Sequence, residues 1–287
     1  MPFLDHIVAC NTHDLSKFRP FVVAGVAVGW VRHDVAAWLA GQDDVFHVGK
    51  DAVALHPRLD TPERRTQAVA EAGARLADAH GTPGLRGEEY AVAPRWGATP
   101  LMRIDRALVS LFGVRSYGIH VNGIVRDGDG MRLWIAKRAA DKGVAPGKLD
   151  NMIAGGQPAG LGLKENLVKE AAEEADVPEA LALTARPVGA ISYCQEDAWG
   201  LKPDTMFCYE LEVPPGFEPR NTDGEIESFR HMDLDEVAAR VRDTDDFKFN
   251  VNLVLIDFLI RHGHLCPDGE PDYLDLVHGL RRGCADR

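Results

Sequence analysis

The 287-residue chain has no apolar run long enough to span a bilayer: its longest, "FVVAGVAVGWV" and "VNLVLIDFLI", fall well short of the ~20 residues such a helix needs. It is also short of positive charge. With 32 Lys and Arg against 44 Asp and Glu the net charge is -12, which argues against a protein that coats nucleic acid or an anionic membrane. CxxC spacing is absent. The five cysteines, Cys10, Cys194, Cys208, Cys266 and Cys284, are scattered, so they are expected to be reduced packing residues, with neither a disulfide framework nor a zinc site. The start, "MPFLDHIVACNTHDLSKF", carries acids and lacks the basic head and apolar core of a secretory signal, which leaves a cytoplasmic protein as the expectation.

What is present is ordinary globular usage, 45% hydrophobic and 26% charged, enough for two modest cores. A change of texture divides the chain into residues 1–113, 114–265 and a tail, 266–287. In the first part, "VAAWLAG" and "TPERRTQAVAEAGARLADAHG" read as helices, the second with Thr61 as N-cap, Pro62 in the first turn and Gly81 as terminator. "EEYAVAP" and "WGATPLMRIDR" read as short strand and turn pieces. His13, His33, His47 and His56 form no metal-like cluster in sequence.

From Tyr117 onward, "YGIHVNGIVRDGDGMRLWIAKRA" reads as a β-hairpin about the turn "RDGDG". A short strand follows at Met152–Ala154, then strands in "PVGAISYCQE", "TMFCYELEV" and "GEIESFRHM", and helices in "DLDEVAARVR" and "FNVNLVLIDFLIRHG". A mixed sheet with one early helix and another after the last strand implies an α/β sandwich.

Between the strands lies "KEAAEEADVP". At about 100° per residue, Glu170, Glu173 and Glu174 leave a helix on one side, where like charges cost a few tenths of a kcal/mol per pair unless a cation or solvent compensates. Taken alone, a solvated acidic face accounts for them. The preceding "NMIAGGQPAGLGL" adds a Gly155-Gly156 pair whose backbone can approach a ligand closely. Carboxylates and carbonyls are the hard oxygen donors that Mg²⁺ prefers, so the loop and helix together form a candidate cradle for a metal-bound diphosphate.

Gly155 followed by Lys169-Glu170-Ala171-Ala172-Glu173-Glu174-Ala175-Asp176-Val177 resembles the Nudix box. Leu161 stands where the loop Glu is usual, Lys169 replaces Arg and Asp176 replaces Gly. The segments "GIHVNG", "KLDNMIAGGQPAGL", "ENLVKEAAEEA" and "NTDGEIESF", behind an N-terminal extension of this length, resemble the Nudix proteins whose extension is a domain of unknown function, relatives of the Nudix segment associated with thiamine pyrophosphokinase. The resemblance implies a Nudix α/β/α sandwich with a mixed sheet, preceded by a smaller α+β domain that selects substrate. It also implies a metal-dependent hydrolase of a small organic diphosphate, thiamine diphosphate or its oxidised analogues, yielding the monophosphate and phosphate. An ADP-ribose-like nucleoside diphosphate derivative and a non-catalytic ligand sensor are the alternatives. An isoprenoid diphosphate isomerase is disfavoured because no Cys-His pair stands in the strand ahead of the box.

By that resemblance the ligands of Mg²⁺, or of Mn²⁺, are Gly155, Glu170, Glu173 and Glu174. Glu225 is the first candidate for the general base, with Glu174 and Glu227 as alternatives. Lys137 and Arg138 are candidates for phosphate contact, and Glu196 and Asp197 for a cationic ring, with Trp96, Tyr193 and Trp199 available for stacking. No nucleic-acid or membrane partner is expected, and a homodimer is compatible with the sequence.

Overall fold

The computed structural model describes residues 2–82, 84–128 and 130–284. The apolar run "FVVAGVAVGWV" is folded back on itself. Strands β1 (Phe18–Val23) and β2 (Val26–Arg32) pair antiparallel across Ala24 and Gly25, both at positive φ. With β3 (Phe46–Val48) and β4 (Val53–Leu55) they form a sheet of order β2-β1-β4-β3. Helices α2 (His33–Leu39) and α3 (Pro62–His80) cover it, and the hairpin β5 (Glu89–Val92) and β6 (Met102–Asp105) closes the same core with Leu108, Leu111 and Phe112. Helix α3 starts and stops as the sequence predicts: Thr61 Oγ1 accepts from Arg64 N, and Gly81 ends it in the left-handed conformation.

After the short α4 (Val109–Phe112), β7 (Ser116–Asp127) and β8 (Gly130–Arg138) form the expected hairpin; Asp129 of its turn lies outside the described residues. With β11 (Arg186–Glu196), β12 (Leu201–Glu212) and β13 (Ile226–Asp233) they make a sheet of order β11-β12-β7-β8-β13, mixed because β12 runs parallel to β7. Two short strands split it: β9 (Leu149–Asn151) pairs with β8 and β10 (Ile153–Gly156) with β7.

Helix α5 (Leu163–Ala175), followed by the single turn α6 (Glu179–Ala182), packs Leu167, Ala171 and Ala175 against Ile119, Val121 and Ile153. On the other face α7 (Leu234–Asp243) and α8 (Val251–Arg261) share a core with Ile124, Leu133 and Ile135. The α/β/α sandwich and the α+β extension are therefore as expected.

The extension's first helix packs away from the extension's own core. Helix α1 (Phe3–Cys10) buries Phe3, Ile7 and Cys10 in the core of α7 and α8, beside α9 (Tyr273–Gly279) of the tail. Gly279 permits the approach, since a Cβ there would collide with Ile7. The cysteine expectation is corrected here. Cys194 and Cys284 are joined in a disulfide that ties the tail to β11, while Cys10, Cys208 and Cys266 are free. A separation of 90 residues gives such a pairing no local sequence signal.

Candidate active site

The loop ahead of α5 is held by amides. Gln157 Nε2 donates to Leu161 O (2.8 Å), Asn166 Nδ2 to Gly156 O (2.8 Å), and Gly162 N to Glu165 Oε2 (2.7 Å). Leu161, in the place of the usual loop Glu, is 39% exposed and contributes only its backbone to this bracing. At the far end Asp176 closes the helix with φ 52°, the left-handed conformation that the usual Gly adopts freely.

The three box glutamates differ in environment. Glu170 lies directly on Gly155, where a Cβ would collide with its carboxylate; this close approach is why the position is glycine. Glu174 is buried and accepts from Ala154 N at 2.7 Å, pinning the helix to β10. Glu173 is the most open and pairs with Lys169 at 2.7 Å, whose ammonium also reaches Glu170 at 3.1 Å. Burial lowers the Lys169 pKa, but Glu173 and Glu170 outweigh it and hold the group above the ordinary lysine value. Burial raises Glu170, with Lys169 opposing. Glu174 is raised well above the usual carboxylate range, chiefly by burial and further by the charges of Asp150, Glu170 and Glu225, against the Ala154 hydrogen bond.

Buried carboxylates held in this condition suit a hard divalent cation. Asn166 Oδ1 and Gln157 Oε1, also buried at this loop, have no hydrogen-bond partner among the described residues. Gly155 O, Glu170, Glu173 and Glu174 are hard oxygen donors of the type that suits a divalent metal ion.

The other sequence candidates are placed unevenly. Glu225 is the last residue of the turn before β13 rather than a strand residue, with its N–H on Asp223 Oδ1. Its charge adds to the raised pKa of Glu174. Burial raises its pKa, but the ion pair with Lys142 and the charges of Arg106 and Arg138 outweigh this and hold it below the usual value. Glu227, at the β-bulge, pairs with Lys137 (2.7 Å).

Lys137 lines a separate cleft of about 570 Å³ with Ile135, Leu149, Arg230 and Arg240, to which no box glutamate contributes. Arg138 is committed: its guanidinium meets Asp150 Oδ2 at 2.9 Å with both side chains buried, and also bonds the Val144 and Ala145 carbonyls. Glu196 pairs with Lys17, and Asp197 accepts from Ser110 Oγ and from the Trp199 and Gly200 N–H groups. Both serve the β11–β12 hairpin tip and its join to the extension. Tyr193 is buried with its hydroxyl on Asp204, Trp199 packs on the extension core, and Trp96 meets Tyr117 edge-on and Phe207 at a tilt.

Residues of the extension that the sequence reading passed over form a wall beside the box. The Tyr90 hydroxyl lies against Gly156, where a Cβ would collide with it, and Ala159 N donates to Glu89 O at 2.8 Å. Glu88 pairs with Arg106 at 2.9 Å and acts electrostatically on Glu170. A hairpin docking across a domain boundary leaves no periodic trace in sequence; "EEYAVAP" indicated the strand but not its target.

Residues 116–251 match the NUDIX domain family and residues 2–116 the family described as Domain of unknown function (DUF4743). Nudix hydrolase 24, chloroplastic, of Arabidopsis thaliana is 43% identical over 286 residues, covering 98% of this chain and 78% of that protein. Nudix hydrolase 20, chloroplastic, of the same plant is 40% identical over 296 residues, covering 99% and 79%. Among solved structures, the crystal structure of DR0079 from Deinococcus radiodurans is 22% identical with a TM-score of 0.45, covering 58% of this chain and 96% of that one. The expectation of a cytoplasmic protein is corrected by the two plant relatives, both named as chloroplastic. It rested on the absence of secretory features, which says nothing of organelle import. With relatives at this identity over nearly its whole length, and the box glutamates gathered on one helix beside Gly155, the chain belongs to the Nudix hydrolases.

Proposed function

We propose that this Nudix hydrolase cleaves an organic diphosphate to the monophosphate and phosphate, with thiamine diphosphate or its oxidised analogues preferred. Glu170, Glu173, Glu174 and the Gly155 carbonyl would hold Mg²⁺, with Mn²⁺ as the alternative; bound there, the ion supplies charge neutralisation and a more acidic water. Around it the chain's own groups divide the work. Lys169 keeps Glu170 and Glu173 side by side. Glu225, kept ionised by Lys142, takes the proton of the attacking water.

The observation that carries the substrate class is the wall of the extension. It sets an acid, Glu88, paired with Arg106, and the buried Tyr90 hydroxyl beside the diphosphate cradle in a protein of net charge -12. A thiazolium cation gains from the Glu88 carboxylate; an adenine brings it no charge. With Mg²⁺ saturating, kcat/KM for thiamine diphosphate or an oxidised analogue is expected to exceed that for ADP-ribose. The reverse ratio moves the substrate to the nucleoside diphosphate derivatives.

A further inference from the structure

The cations that sequence reasoning assigned to phosphate are occupied elsewhere, Lys137 on Glu227 and Arg138 on buried Asp150. A diphosphate carries more negative charge than one divalent ion offsets, so fixed cations are needed at the oxygens that the metal does not reach. Two side chains act electrostatically on the acids of the site, Lys248 with Glu174 and Arg106 with Glu225. Lys248, in the segment before α8, is anchored by its backbone N–H on Leu149 O (2.9 Å). Its largely buried ammonium stands 3.6 Å from Asp150 Oδ2, beyond hydrogen-bond range, and Asp150 is already bonded at 2.9 Å to Arg138. The charges of Glu174 and Arg106 both reach Lys248. Arg106 comes from the extension, at the turn after β6, with its N–H on Glu88 O (2.8 Å) and its guanidinium on Glu88 Oε2 (2.9 Å). Its side chain is 55% exposed, and its charge reaches Glu225 as well as Lys248.

We propose that Arg106 and Lys248 bind the substrate's diphosphate from two sides of the cradle, Arg106 exchanging the Glu88 carboxylate for phosphate oxygens. Each domain then supplies one cation, and the extension takes part in diphosphate binding as well as ring selection. This rests on the diphosphate-hydrolase reading but not on the identity of the organic group. Arg106 is suited to the exchange because a planar guanidinium bonds carboxylate and phosphate with the same fork.

The test is calorimetric titration of the full-length protein with inorganic pyrophosphate and Mg²⁺, a probe without an organic part. Arg106→Met is expected to weaken binding at least tenfold, and Lys248→Met similarly. Arg106 gives the decisive arm because a half-exposed side chain is removed without disturbing the fold, as an unchanged Tm verifies. Glu88→Gln separates the proposal from a structural role. If the Arg106–Glu88 pair merely braces β5, both variants weaken binding alike; if Arg106 is held for phosphate, Glu88→Gln binds pyrophosphate as well as wild type or more tightly. Wild-type affinity in Arg106→Met, or equal losses in Arg106→Met and Glu88→Gln, overturns the inference and leaves the hydrolase reading standing. Failure of the wild type to bind pyrophosphate overturns both, whereas preference for ADP-ribose over thiamine diphosphate touches only the substrate class.

Discussion

Glu174 shows how one side chain can tie metal binding to stability. Burial holds its pKa far above that of a free carboxyl, so without metal the folded protein retains a proton that the unfolded chain has released. Stability then falls as pH rises from the ordinary carboxylate value, 4.5, towards the raised one. Glu174→Gln keeps the acceptor for Ala154 N with almost no change in volume and removes the ionisation. In EDTA its Tm is expected to match or exceed wild type at neutral pH, with a weaker decline as pH rises above the ordinary carboxylate value. Mg²⁺-dependent phosphate release is expected to fall by orders of magnitude. Undiminished turnover would remove Glu174 from the metal site.

At the scale of elements, what was legible followed from local rules. The spacing of Glu170, Glu173 and Glu174 put three acids on one side of α5, and Thr61, Pro62 and Gly81 delimited α3. The short strand near Met152–Ala154 was legible, but β9 and the pairing of β9 and β10 within the sheet were not, because three or four residues carry too little pattern. Nor was the bracing of the box loop, where Gln157 and Asn166 have no periodic signature.

Asp176 connects the two cases, a departure visible in the sequence whose meaning depends on backbone geometry. It is exposed and sits at φ 52°, where a Cβ is crowded. Asp176→Gly is expected to stabilise the protein by roughly 0.5–1 kcal/mol, since glycine takes this conformation without strain, and to leave kcat unchanged. Urea denaturation would show a higher midpoint; a lower one would mean that the aspartate compensates its strain elsewhere.

On the scale of the whole molecule, the two ends of the chain close on the Nudix sheet. Helix α1, α9 and Cys284 all meet the side carrying α8 and β11, and the His6 imidazole contacts Val241 O at 2.6 Å. Helix α1, part of the extension by position, thus packs in one core with α7 and α8. Ile7 is 3% exposed and fills the space that Gly279 leaves open. Removing three of its carbons in Ile7→Ala leaves a cavity between α1 and α9, with an expected cost of about 2–4 kcal/mol. Because this core also supports the sheet carrying Gly155, the loss should appear in the main unfolding transition, with Mg²⁺-dependent activity lost at the same urea concentration. A variant in which α1 frays first, detected by proteolysis near Asn11 while activity persists, would show the helix to be laid on the core rather than built into it.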